Sequence, residues 1–189
     1  MDILTKKIQN ACGQKALVRV GRHDIEPEDT YSFGFALEMS RDFLLLNTVT
    51  DRFDLDGWEV LWLSDVTSFK TRFLRSDFTI KALAARGQVP SLPPSVDLTS
   101  FGSLLTSVCE NFPLVSLYRE LADPESCEVG RVEFASDDFL TLHWISPTAV
   151  WENDVRRFKT SDVTRLRFGS DYEYTLALMA GLLNKTVLH

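Results

Sequence analysis

The sequence predicts a mainly β fold with short helices (α+β), built as two tandem copies of one unit: a helix, five strands and a second helix. Three observations lead there. A pattern running from Gly34 to Gly87 returns between Gly130 and Gly181, displaced by about 96 residues. Short apolar runs, bounded by turn residues, recur at strand length within each copy. Pro90, Pro93 and Pro94 then fall between the copies, where a stiff extended linker belongs. The units are expected at residues 1–88 and 98–189, with the proline-rich linker at 89–97.

In the first copy, Ile3, Leu4, Ile8 and Ala11 stand at helical spacing over residues 2–12, with Asp2 as N-cap and Gly13 as the stop. A strand is expected at Ala16–Val20. The loop from His23 to Tyr31 is acidic (Asp24, Glu26, Glu28, Asp29) and is interrupted by Pro27. Strands follow at Ser32–Ser40 and Phe43–Thr50, joined tightly at Arg41-Asp42. Asp56-Gly57, between two apolar runs, predicts a two-residue hairpin turn before WEVLWL, since both turn positions must accept positive φ. Val66–Phe73 reads as a fifth strand. Ser76 is expected to cap a helix whose inward residues are Ile80, Leu83 and Ala84, ended by Gly87.

The second copy repeats this order. Asp97 or Ser95 caps a helix carrying Leu98, Phe101, Leu104, Leu105 and Val108, and Pro113 closes it. Leu114–Glu120 is the first strand, and the acidic loop ADPESCE matches the one before. Strands are then expected at Val129–Ala135, Phe139–Ile145, roughly Val155–Thr160 and Val163–Phe168. A helix after Ser170 contains Tyr172, Leu176, Met179 and Ala180, with Leu182–Leu188 as a further extension.

Two pairs of repeated residues carry a family resemblance. Gly34 and Gly130 each open an apolar strand, and Ser64-Asp65 and Ser161-Asp162 each stand between the fourth and fifth strands. With the helix-then-five-strands order, the chain resembles Sm and Sm-like proteins, small SH3-like barrels made of a strongly bent sheet. The resemblance implies two tandem five-stranded barrels. It also implies what has been lost. Ser40 and Ser136 fall where the family's first motif has an Asp, Leu44 and Leu140 where it has an Asn, and the Ser-Asp pairs where the second motif has Arg-Gly. In the family those positions hold a nucleotide. Serine, leucine and aspartate supply neither the guanidinium nor the amide, so the usual RNA function is not expected.

The net charge of −7 lies mostly in the second half, and at long range it repels phosphate backbones. Cys12, Cys109 and Cys127 form no C-x-x-C pair. Cys12 and Cys109 sit one repeat apart, as core thiols of equivalent helices. The start, MDILTKKIQNACGQ, has no apolar run of a signal peptide, and nothing reaches the length of a membrane span; a soluble cytoplasmic protein is expected. Asp51, Asp54 and Asp56 suggest a calcium loop, but Leu63 stands where the closing Glu belongs, so no metal and no cofactor is expected.

Candidate chemistry is sparse. Ser64-Asp65 and Ser161-Asp162 lack a histidine base nearby in sequence, since the chain has only His23, His143 and His189; hydrogen bonding within a tight turn accounts for them. Alternation puts Arg165 and Arg167 on one face of the last strand. Arg156, Arg157 and Lys159 lie on the strand before, and Lys70, Arg72 and Arg75 echo them in the first copy. Such a stripe either discourages edge pairing or meets an acidic protein partner. Of the four tryptophans, Trp58, Trp62 and Trp144 fall in strands, whereas Trp151 falls in a charged loop, where it suits a partner contact. The expected function is a non-catalytic, protein-binding or self-associating interaction module. The alternatives are RNA binding through the Arg/Lys faces and a hydrolase centred on His143.

Overall fold

The computed structural model describes residues 2–27, 30–125 and 127–183. The expected extension at Leu182–Leu188 beyond residue 183, His189, Glu28 and Asp29 of the first acidic loop and Ser126 of the second lie outside the described residues. The described residues are mainly β with four short helices, and the chain divides into two compact units, Met1–Pro93 and Pro94–His189. The division falls inside the proline run.

The first unit begins with helix α1 (Ile3–Gly13), capped by Asp2, whose Oδ1 accepts from the Thr5 amide at 2.7 Å. Strands β1 (Leu17–Gly21), β2 (Ser32–Met39), β3 (Phe43–Val49), β4 (Leu55–Trp62) and β5 (Ser68–Lys70) follow, and helix α2 (Ser76–Ala85) ends the unit. The strands form an antiparallel ladder in the order β5-β1-β2-β3-β4. Ile8 and Ala11 of α1 pack with Val18, Val20, Ala36, Leu44, Leu46, Leu61, Val66 and Phe69, so helix and all five strand regions share one core.

The second unit repeats the plan. It contains α3 (Phe101–Cys109), β6 (Val115–Tyr118), β7 (Cys127–Ala135), β8 (Phe139–Ile145), β9 (Trp151–Lys159), β10 (Arg165–Phe168) and α4 (Asp171–Met179). Its ladder order is β10-β6-β7-β8-β9. Leu104, Leu105, Val108, Leu117, Leu140, Leu142, Leu166 and Phe168 are fully buried. Among the described residues, no pairing joins β4 to β5 or β9 to β10, so each unit is an open ladder and the expected closed barrels are not formed.

The repeated residues prove to be the ones the ladder needs. A methyl group at Gly34 would come within 2.4 Å of the Asn47 carbonyl oxygen, and one at Gly130 within 2.3 Å of the His143 carbonyl oxygen. Only glycine lets β2 or β7 lie this close over its neighbour. A register shift follows at once in both strands, at Ala36/Glu38 and at Val132/Phe134, where a bulge bends the sheet. Ser40 and Ser136 close the next hairpin alike: each hydroxyl accepts from the amide three residues on, Phe43 at 3.2 Å and Phe139 at 3.1 Å.

Several local expectations are corrected. Asp56-Gly57 is no hairpin turn; Gly57, at φ 69°, lies inside β4 at an irregularity, and the chain reverses at 50–54 with Phe53 at φ 60°. Asp54 is held there by Arg86 at 2.5 Å and Gln88 at 2.8 Å, which tie the turn to the end of α2. The fifth strand is only three residues, because Leu63–Asp65 forms a single 3-10 turn and the chain leaves the ladder after Lys70. Arg72 and Arg75 are therefore not on a strand. Arg75, not Ser76, precedes α2, with no side-chain cap, and the inward residues are Thr79 and Leu83, while Ile80 and Ala84 are exposed. Helix α3 starts after Ser100, later than Ser95 or Asp97 predicts. Strand β9 begins at Trp151, which is therefore in a strand and not in a loop.

Candidate functional site

The Ser-Asp-Val-Thr repeat is structural, and its threonine does most of the work. Thr67 donates both its amide (2.9 Å) and its hydroxyl (3.1 Å) to the Gly21 carbonyl, while its Oγ1 accepts from the His23 amide at 2.8 Å. Thr164 treats Tyr118 and Glu120 in the same way, at 2.9, 3.1 and 3.1 Å, and its hydroxyl also meets the Glu120 carboxylate. Each threonine thus fastens the end of the first strand to the start of the last. Ser64-Asp65 and Ser161-Asp162 sit in the one-turn 3-10 helices just before, and the Ser64 hydroxyl donates to Asp65 at 3.0 Å.

The basic residues do not form one stripe. β9 and β10 are consecutive in sequence but lie at opposite ends of the second ladder, because the 3-10 turn at Thr160–Asp162 carries the chain past the sheet to β6. Arg165 and Arg167 pair with Tyr118 and Ser116, four strands away from Arg157 and Lys159. Arg165 is engaged, 2.7 Å from Glu120 and over the Tyr118 ring. Arg156 is held at 2.6 Å by Glu128 and lies on Trp144.

What remains on β7–β9 is an open aromatic and basic face. Phe134, 49% exposed, stacks on Phe139 with ring centroids 5.0 Å apart, and the Arg157 guanidinium lies 3.7 Å above the Phe139 ring. Lys159 is exposed and sits opposite Phe139 in the register. Further along, His143 packs on Trp151 at 4.6 Å, donates from Nε2 to the Glu152 carbonyl oxygen (2.8 Å), and neighbours Glu133 at 3.9 Å; Arg131 lies 5.6 Å over Trp151. His143 thus rests among an aromatic ring, a carbonyl and a carboxylate.

The equivalent face in the first unit is covered. Phe43, Leu45 and Asn47 of β3 are buried, where Phe139, Thr141 and His143 of β8 are half open. Part of the cover is the chain itself: Ser91 donates its amide to Asn47 Oδ1 at 3.2 Å and accepts from Trp58 Nε1 at 2.9 Å.

Sequence reasoning missed Arg19. It stands in β1 opposite Lys70 and Phe33, and its guanidinium lies 4.2 Å from the Tyr31 ring, 4.5 Å from Phe73 and 5.9 Å from Phe33. The signal was a lone Arg in the apolar strand ALVRV, facing the odd-numbered aromatics of YSFGF.

Burial raises all three thiols, those of Cys12 and Cys109 to about 11, and of the three only Cys127 is exposed at the surface. At pH 8 only about one Cys12 or Cys109 in a thousand is thiolate. Alkylation of the folded protein at pH 8 should therefore label Cys127 first, with Cys12 and Cys109 reacting on denaturation; equal rates at all three, read by peptide mass, would contradict this packing. The sign for stability follows: the raised thiols favour the fold below about pH 9 and lose that contribution as pH rises toward 11.

Among the described residues no group of three or more His, Cys, Asp or Glu side chains is placed to hold a metal, and no helix is long and apolar enough to cross a membrane. The chain matches no protein-family model, no curated protein and no solved structure.

Proposed function

We propose that the protein is a non-catalytic interaction module, made of two Sm-like or SH3-like units, that binds an extended acidic segment of another protein across β8 and β9. The observation that carries this reading is the open face itself: the stacked Phe134–Phe139 pair with Arg157 on Phe139, beside Lys159. Exposed aromatics and arginine on one patch are the composition of an interface core, and the cations favour a negatively charged partner. The first unit supports the geometry, because there an extended piece of chain, Ser91, already lies against the corresponding positions Asn47 and Trp58. The Sm-like reading rests on the ladder order, the repeated glycines and the bulges after them. Three free cysteines fit a reducing, cytoplasmic setting.

A tagged pull-down at low and at moderate salt tests the proposal, with Phe134→Asp and Arg157→Ala beside the unaltered protein. An acidic protein captured in stoichiometric amount should survive moderate salt and be lost with Phe134→Asp, and Arg157→Ala should weaken it about fivefold to tenfold. Capture unaffected by either change sinks the assignment to this face. Nucleic acid in the eluate that washes off steeply with salt would instead favour the RNA reading.

A further inference from the structure

The outer face of β5-β1-β2 in the first unit, opposite Val18 and Val20 of the core, holds the cation of Arg19. Arg19 is surrounded by three aromatic rings, which are themselves arranged edge to face: Tyr31 against Phe33 at 6.5 Å, and Phe33 against Phe73 at 5.7 Å. Among the described residues no carboxylate pairs with it, and its Nε is buried without a hydrogen-bond partner. This is unlike the second unit, where the arginines Arg119, Arg156 and Arg165 each reach a glutamate. The position one repeat on from Arg19 is Ser116, whose hydroxyl is taken by the buried Glu173 of α4.

Arg19 opens onto a recess of about 250 Å³. Lys70, directly across from it in the β1–β5 register, supplies a second cation. Ser68, Thr30 and the Tyr31 phenol add hydroxyl groups, and His23 closes one side. Gly21 makes the room: a methyl there would come 2.5 Å from Ser68 Oγ and 2.8 Å from the His23 ring.

We propose that this recess binds a phosphate monoester dianion. Rings against a guanidinium leave its N–H edge as the free direction, the edge that recognises an oxyanion in its plane. Two cations with several hydroxyl donors exceed what one carboxylate accepts and suit a group with three terminal oxygens. The volume is at the small end for ligand sites, so it takes the phosphoryl head and leaves the rest of the ligand outside. That head comes either from a free small phosphate ester or from a phosphorylated side chain of a partner. The site is built from residues of the first unit, whereas the β8–β9 face belongs to the second.

The test is a titration of the full chain, followed through the amide resonances of Gly21, Ser68 and Lys70, with orthophosphate, phenyl phosphate, a phosphoserine peptide, its unphosphorylated form, and acetate. Saturable shifts with the phosphate probes are expected, weaker by about tenfold or more in Arg19→Gln, and in Arg19→Lys, which keeps the charge but lacks the fork. Gly21→Ala fills the recess without changing charge and should also abolish the shifts. Arg41→Ala removes an exposed cation elsewhere and should leave them unchanged. Tighter binding of the phosphoserine peptide than of orthophosphate assigns the source to a partner's side chain; equal binding assigns it to a free ester. Acetate binding as well as phosphate, no saturation below about 10 mM, or equal binding by a folded Arg19→Gln would each overturn the proposal.

Discussion

Replacing Gly130 by alanine should lower the stability of the second unit by about 3 kcal/mol, at the upper end of what overpacking costs. The added methyl meets the His143 carbonyl oxygen at 2.3 Å, the carbonyl carbon at 3.0 Å and Leu142 Cγ at 2.8 Å. The first two are backbone atoms of a strand paired on both sides, so they cannot retreat without breaking the ladder. Gly34→Ala should do the same in the first unit, against Asn47 O at 2.4 Å and the Thr48 Cα at 3.1 Å. For units of this size the shift is on the order of 10–20 °C in the melting midpoint. Tryptophan fluorescence reports the two separately if Trp144 and Trp151, or Trp58 and Trp62, are changed to Phe in turn. A midpoint within about 2 °C of the parent for both variants would show that β2 and β7 do not run this close to their neighbours.

Thr164→Val should cost about 1–3 kcal/mol, and Thr67→Val somewhat less within the same range. Valine matches threonine in shape, so the change removes hydrogen bonds and little packing. In the second unit the Glu120 amide loses its acceptor in a buried position, and both the Tyr118 carbonyl and the Glu120 carboxylate lose the hydroxyl beside them. In the first unit the His23 amide lies nearer solvent and finds water instead. Thr→Ser keeps the hydroxyl and should recover most of the loss in urea denaturation. A serine variant as weak as the valine one would place the effect in the methyl and not in the clamp.

The sequence showed the repeat, the helix-and-five-strand order and most strand positions because these depend on local pattern. Gly34, Gly130, Ser40, Ser136, Thr67 and Thr164 recur because each satisfies a backbone demand that arises twice. Three features were not legible, each for a physical reason. Asp56-Gly57 has the composition of a turn, but the turn formed where Thr50 and Asp54 bond each other's backbone and Arg86 holds the Asp54 carboxylate. Arg157 and Arg165 belong to chain-adjacent strands, and adjacency in sequence does not give adjacency in a ladder whose last strand pairs with its first. Arg19 falls within the strand expected at Ala16–Val20; its rings come from Tyr31 just before β2, from Phe33 in β2 and from Phe73, the last more than fifty residues away, and no local period reveals that meeting.

The pairing of the last strand with the first also bears on how the chain folds. β2, β3 and β4 are joined by short hairpins, and their contacts close loops of a few residues. The β1–β5 pairing instead brings Gly21 to Ser68 and closes about half of the unit into one loop. Its closure entropy must be met before any contact rewards it, so this pairing is expected to form late in each unit, after the hairpins. Thr67 and Thr164 then act on the late side of the barrier. Their valine variants should unfold faster while refolding at nearly the parental rate, which would leave these two hydroxyls setting the lifetime of the folded units more than the speed of reaching them.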